Sequence, residues 1–114
     1  MLGNGHQRKS YLHVSDCINA IDIATIQSNC KVNIFNLGID YTCNVIESVN
    51  WICEKMELNP EINYGLENKG WIGDNPLIHL STERMSNLGW TPKYSIKQSI
   101  QSTLDYLIEN DQIS

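Results

Sequence analysis

The pattern of apolar residues in this chain predicts an α/β fold built from small sheet elements and about four helices. Short runs rich in β-branched and aromatic residues alternate with stretches whose apolar residues recur at helical spacing, and glycine or proline marks most junctions. The 114 residues, 41% hydrophobic and 18% charged, have the make-up of one folded domain, large enough for a core and too short for two.

The chain opens on Gly3-Asn4-Gly5, a turn signature, and continues polar to Ser10. No cap or strand precedes that turn, so Met1 reads as starting inside a longer pattern. Tyr11-Leu12-His13-Val14 is a strand candidate, after which Ser15 can cap a helix over 16–28 with Asp16 well placed in its first turn. That helix carries Cys17, Ile18, Ala20, Ile21, Ile23, Ala24 and Ile26 over more than half its circumference. It needs cover on two sides, which points to a partner layer that a chain this small does not supply. Val32-Asn33-Ile34-Phe35-Asn36-Leu37 reads as a buried strand stopping at Gly38.

Thr42 is placed to cap a helix running to about Glu57, with Val45, Val49, Ile52 and Met56 on one face beside Ile46 and Cys53. Glu47, Asn50, Glu54 and Lys55 fall toward water, and Asn59-Pro60 closes the helix. Ile62-Asn63-Tyr64 and Leu77-Ile78-His79-Leu80 are further short strands. Ser81 or Thr82 caps a two-turn helix through Leu88, where Gly89 as a left-handed terminator folds Trp90 back toward Met85. Beyond Thr91-Pro92, Ser95 and Gln98 form the capping box of a last helix, whose buried stripe is Ile96, Ile100, Leu104 and Leu107. Residues 110–114 fray, and the chain holds no internal repeat or low-complexity segment.

A net charge of -5, with His6-Gln7-Arg8-Lys9 as the sole basic cluster, argues against a nucleic-acid partner. No apolar run approaches the roughly 18 residues of a membrane span, and Met1 leads into no signal sequence, so the chain reads as cytoplasmic. Cys17, Cys30, Cys43 and Cys53 form no Cys-x-x-Cys pair and are expected as free thiols, the two helical ones as small core residues. A zinc site would need them to converge with His6, His13 or His79, so no metal is assigned. Glycine-rich phosphate loops, the Gly-x-Ser-x-Gly elbow and His-Glu-x-x-His are absent from these residues. His13, alone beside a short strand, reads as structural rather than as a general base, and Tyr11 with Lys9 is not a helical Tyr-x-x-x-Lys pair.

The stretch Lys69-Gly70-Trp71-Ile72-Gly73-Asp74-Asn75-Pro76 presents a cation, an aromatic and a carboxylate between residues that stop a helix from passing through. Such a loop can lay its peptide against a ligand. Together with three other segments it resembles the extended short-chain dehydrogenases, the NAD-dependent nucleotide-sugar epimerase and dehydratase family. Gly3-Asn4-Gly5-x-Gln7-x-Lys9-Ser10-Tyr11-Leu12-His13-Val14-Ser15-Asp16 resembles that family's G-x-G-x-Q-x-R-D-[FY]-[IL]-[HY]-V-x-D segment. Val32 to Gly38 is similar to its vFNlG strand, Lys69 to Asp74 to its R-G-W-x-G-D loop, and Leu88-Gly89-Trp90-x-Pro92 to its LGW-x-P segment. The UDP-glucose 4-epimerase-like branch is the nearest match, with the dTDP-sugar dehydratases close behind.

The resemblance implies the C-terminal third of such an enzyme, without the glycine-rich dinucleotide turn, the Tyr-x-x-x-Lys pair or most of the Rossmann domain. Residues 1–114 would be a single partial domain, the substrate-binding lobe, with 16–38 normally packed on the nucleotide-binding part. It implies no catalytic residue and no cofactor in this chain, NAD being the cofactor of the full-length family. By the same resemblance Lys9 and Lys69 occupy the positions of two diphosphate-binding arginines, Asp74 that of a ribose-binding carboxylate, and Gly70 and Gly73 set the loop geometry. Lysine keeps the charge and loses the planar fork. Ser10 and Ser81 stand where the family tends to have Asp. Two functional readings follow. One is a nucleotide-sugar-binding portion that positions substrate while NAD exchanges a hydride elsewhere. The other is a non-catalytic module whose orphaned helix and strand dock on a chain supplying the Rossmann part, or on a second copy.

Overall fold

The computed structural model describes residues 1–75, 77 and 80–113. Among these the elements run β1 (Arg8–Lys9), α1 (Val14–Gln27), β2 (Cys43–Asn44), α2 (Val45–Lys55), α3 (Glu83–Asn87) and α4 (Ile96–Glu109). The four helices match expectation, while the sheet shrinks to one antiparallel ladder in which Arg8 faces Asn44 and Lys9 faces Cys43. Residues 11–13, 32–37 and 62–64 are not strands. Among the described residues no strand lies beside them to complete a backbone ladder, and apolar β-branched content alone does not make one. The candidate strand at 77–80 includes Ile78 and His79, outside the described residues.

Helix starts moved by a residue or two, each for a local reason. His13 rather than Ser15 caps α1, its Nδ1 accepting from the Ser15 amide at 3.1 Å, so Val14 is helical. Asn44 rather than Thr42 begins α2, its amide donating to Glu47 Oε2 at 2.7 Å. Thr42 instead accepts from Arg8 Nε. The capping box of α4 forms as the sequence indicates, with Ser95 and Gln98 exchanging hydrogen bonds of 2.9 and 3.2 Å. At the end of α3 the amide of Trp90 donates to the Met85 carbonyl at 3.1 Å and that of Gly89 to Ser86 at 2.9 Å, a Schellman ending with Gly89 at φ 80°. Trp90 is thereby tucked against Met85 as foreseen. The end of α2 uses the same geometry with Glu57 at φ 55°, ahead of Asn59-Pro60.

Two small cores result. Ala20 of α1, Met85 and Trp90 form one, with Phe35 and Leu37 against it; Ile39, Cys43 and Ile96 form the other, with Trp51 and Ile100. Leu12 touches both. Of the two helical cysteines expected in the core, Cys17 and Cys53 are half-buried, and Cys43 on β2 is the buried one. Asp16 is only 2% exposed and accepts from the amides of Lys93 and Tyr94 at 3.1 Å, tying α1 to the turn before α4. The radius of gyration is 16.8 Å, whereas a compact domain of this length would have about 13 Å. The molecule is a slab, 18 Å along its shortest axis.

Candidate functional site

The N-terminal segment is the strut on which the site is built. On one side the amides of Val45 and Ile46 donate to the carbonyls of Gln7 and Gly5, both at 3.1 Å, fixing the segment to the start of α2. On the other side the Gly65 amide donates to Gly3 at 2.9 Å, Asn4 donates from its backbone to Glu67 at 2.8 Å, and Asn4 Nδ2 donates to Asn68 Oδ1 at 2.9 Å. The glycine-rich loop is therefore suspended from residues 3–5, more than sixty positions away in sequence.

Within the loop the Asp74 amide donates to the Trp71 carbonyl at 3.0 Å, turning the chain, and the Gly70 amide donates to Asp74 Oδ2 at 3.0 Å. Lys9 Nζ pairs with Asp74 Oδ1 and donates to the Asn75 carbonyl at 2.9 Å. The Lys9 ammonium, followed by the Gly70 amide, holds the Asp74 carboxyl below its ordinary value, since both stabilise the charged form. Neither Gly70 nor Gly73 has a left-handed φ. What Gly73 supplies is room, because a Cβ there would lie 2.3 Å from the indole of Trp71.

Loop, β1 and the extended segment after Phe35 enclose a cleft of about 470 Å³, lined by Arg8, Lys9, Ser10 and Leu12, by Leu37, Gly38 and Ile39, by Trp71, Gly73, Asp74 and Asn75, and by Leu80. Lys9, Asp74 and Gly73 thus come together there, with Gly70 behind Asp74. Lys69 is exposed and outside the lining, although its charge is the smallest of those that lower the Asp74 carboxyl. Sequence reasoning set Arg8 aside within a short basic cluster, and noted Trp71 as the loop's aromatic without giving it a site role, although its exposed ring borders the cleft. Adjacent basic residues beside a turn were the available signal. Pro76, the loop's last residue, lies outside the described residues.

His13 lies apart from the cleft and is structural. Its Nδ1 accepts from Ser15, its Nε2 lies 3.3 Å from Ser102 Oγ, and its ring stacks on Tyr94 at 4.1 Å between centroids. Among the described residues no group of three metal-ligating side chains converges, and no helix is long and apolar enough to cross a membrane.

No family model matches the chain. It is 25% identical over 115 residues to human dTDP-D-glucose 4,6-dehydratase, covering 95% of this chain and 32% of that protein. Among solved structures it is similar to dTDP-glucose 4,6-dehydratase from Bacillus anthracis in complex with NAD (TM-score 0.79, 25% identity, 96% of this chain and 34% of the other). UDP-glucose 4-epimerase from Thermotoga maritima, solved with UDP-glucose, shares the fold at TM-score 0.83 and 22% identity, again over 96% of this chain and 34% of the other. The chain spans about a third of the length of the curated relatives it matches. Its fold is that of the C-terminal portion of the extended short-chain dehydrogenases, the NAD-dependent epimerase/dehydratase family.

Proposed function

We propose that this chain is the nucleotide-sugar-binding portion of an NAD-dependent epimerase or dehydratase, and that it positions its ligand rather than transforming it. The observation that supports this reading most is the meeting of two distant segments, Lys9 on β1 and Asp74 in the glycine-rich loop, across one cleft. A volume of about 470 Å³ lies in the range of small-molecule sites. In this reading Lys9 faces the diphosphate with Lys69 as a second cation, and Asp74, an acceptor-only group, suits the paired hydroxyls of a ribose. The exposed face of Trp71 offers a base or sugar a stacking surface.

None of the three longer helices offers the diphosphate of a dinucleotide the open glycine-rich start that would hold it. The first turns of α1, α2 and α4 are already engaged by His13, by Asn44 with Glu47, and by Ser95 with Gln98, and none opens on a glycine-rich turn. On this reading NAD is held by other residues of a whole protein about three times as long, and no step of its chemistry is assigned here.

Titration of the chain with UDP-glucose and dTDP-glucose, followed by amide chemical shifts, tests the proposal. Shifts concentrated at Lys9, Gly70, Trp71 and Asp74 are expected. A well-folded chain that responds to neither compound would overturn it.

A second reading, a non-catalytic module docking through α1 and residues 32–37, is favoured by the bare apolar side chains of Ile18, Ile21, Ile26, Val32 and Ile34. It commits to a chain carrying the missing sheet, or to a second copy. Analytical ultracentrifugation separates it from the first, because docking predicts concentration-dependent association without nucleotide.

A further inference from the structure

The cleft presents two cations of its own, and their circumstances differ. Lys9 is compensated, with Nζ paired to Asp74 and bonded to the Asn75 carbonyl. A diphosphate approaching it must either displace Asp74 or accept a carboxylate as neighbour. Arg8, next to it on β1, has no carboxylate within ion-pairing distance among the described residues. Its Nε donates to Thr42 Oγ1 at 2.8 Å, which steadies the side chain, and among the described residues no acceptor engages its Nη donors. Thr42 lies just before β2, and Arg8 faces Asn44 in the ladder, so the guanidinium is carried by a hydrogen-bonded strand pair. In a chain of net charge -5, the uncompensated charge at the cleft is therefore carried by arginine.

We propose that Arg8 is the principal phosphate-binding residue of this cleft, gripping the diphosphate of a nucleoside diphosphate compound through its free Nη edge, while Lys69 contributes little. The proposal rests on the nucleotide-sugar reading and moves the diphosphate contact from Lys9 and Lys69 to Arg8. A planar guanidinium matches phosphate oxygens two at a time, which an ammonium cannot do. Lys9 then acts as a positioning residue, holding Asp74 and the loop in place.

The test is calorimetric binding of UDP, dTDP, inorganic pyrophosphate and uridine to the full chain and to Arg8→Ala, Arg8→Lys and Lys69→Ala, with amide spectra verifying each fold. Arg8→Ala is expected to weaken UDP, dTDP and pyrophosphate by about tenfold or more, as loss of a charge-assisted hydrogen-bonding partner does. Arg8→Lys should recover part of that loss, Lys69→Ala should stay within about twofold, and uridine should be indifferent to all three. Wild-type affinity in Arg8→Ala with loss in Lys69→Ala would overturn the inference and leave the nucleotide-sugar reading standing. Equal weakening of uridine and UDP by Arg8→Ala would reduce Arg8 to a structural part. A folded wild-type chain that binds none of the four would remove the underlying reading itself.

Discussion

The cleft and the outer face of α1 are built from opposite materials, and they differ in completeness. At the cleft, polar groups from residues 3–9 and 65–75 satisfy one another through Asn4, Gly65, Gly70, Lys9 and Asp74. On the α1 face, Ile26 is 80% exposed, Val32 78% and Ile34 70%, beside an open groove of about 460 Å³ between helix and extended segment. Each such side chain forgoes about 1–2 kcal/mol of burial. Hydrogen bonds between loops are local and can be closed by a few residues, whereas an apolar face needs a whole layer laid against it. The backbone and side-chain polar ties around the cleft are thus largely closed within the chain, whereas bare apolar side chains remain on the α1 side and, at Leu66 and Ile72, beside the loop.

The strongest way to break that contrast is to cut the buried polar tie of α1. Asp16 accepts three amide hydrogen bonds at the turn before α4 while almost fully buried. Asp16→Ala should cost about 2 kcal/mol by removing the charged acceptor that joins α1 to this turn, read as a lowered urea midpoint. A loss under about 1 kcal/mol would mean that α1 is held by its apolar contacts after all.

Gly89→Ala should cost about 1 kcal/mol, because the left-handed backbone that folds Trp90 under α1 penalises any Cβ, although nothing lies within 4 Å to clash with one. Thermal unfolding checks it, and an unchanged midpoint would show that the covered side of α1 does not depend on that turn.

At the cleft the expected effect is a dependence on pH. Asp74 titrates lower folded than unfolded because Lys9, and next the Gly70 amide, favour its charged form. Its contribution is therefore present above the unfolded carboxylate value of about 3.9 and is lost as pH falls through the folded one. The Gly70 amide shift should follow that titration and become flat in Asp74→Asn. A Gly70 amide that ignores pH in the wild type would sever loop and carboxylate.

Legibility divided along the same line. Helices were readable where a cap and a stripe coincide, as in Ser95 with Gln98 and Ile96 to Leu107, and the Gly89 stop was readable to the hydrogen bond. The strand at 32–37 was not, because β-branched content reports a preference that only a neighbouring strand can realise, and no described residue pairs with it. In the site, Lys9 and Asp74 were legible through the motifs that carry them. Their mutual pairing, the withdrawal of Lys69 and the exposure of Arg8 depend on where β1 sits against α2, which no local pattern encodes.

The smallest expected change is the sharpest test of the contrast. Ile21 and Ile34 are large, apolar and more than half exposed, so Ile21→Glu and Ile34→Lys remove surface the folded chain has not buried. Each should alter stability by under about 0.5 kcal/mol, where a buried isoleucine given a charge would unfold the domain. Solubility should rise, and any self-association of the wild type should fall, since both substitutions replace an exposed apolar side chain by a charge. Sedimentation equilibrium and urea unfolding on the same samples decide it. A loss of several kcal/mol together with dissociation would mean that these side chains are buried in a second copy and that the bare face is an interface of the native state. Unchanged stability with a monodisperse wild type would mean that the face stays open in solution, and would count against the idea that a layer is missing from it.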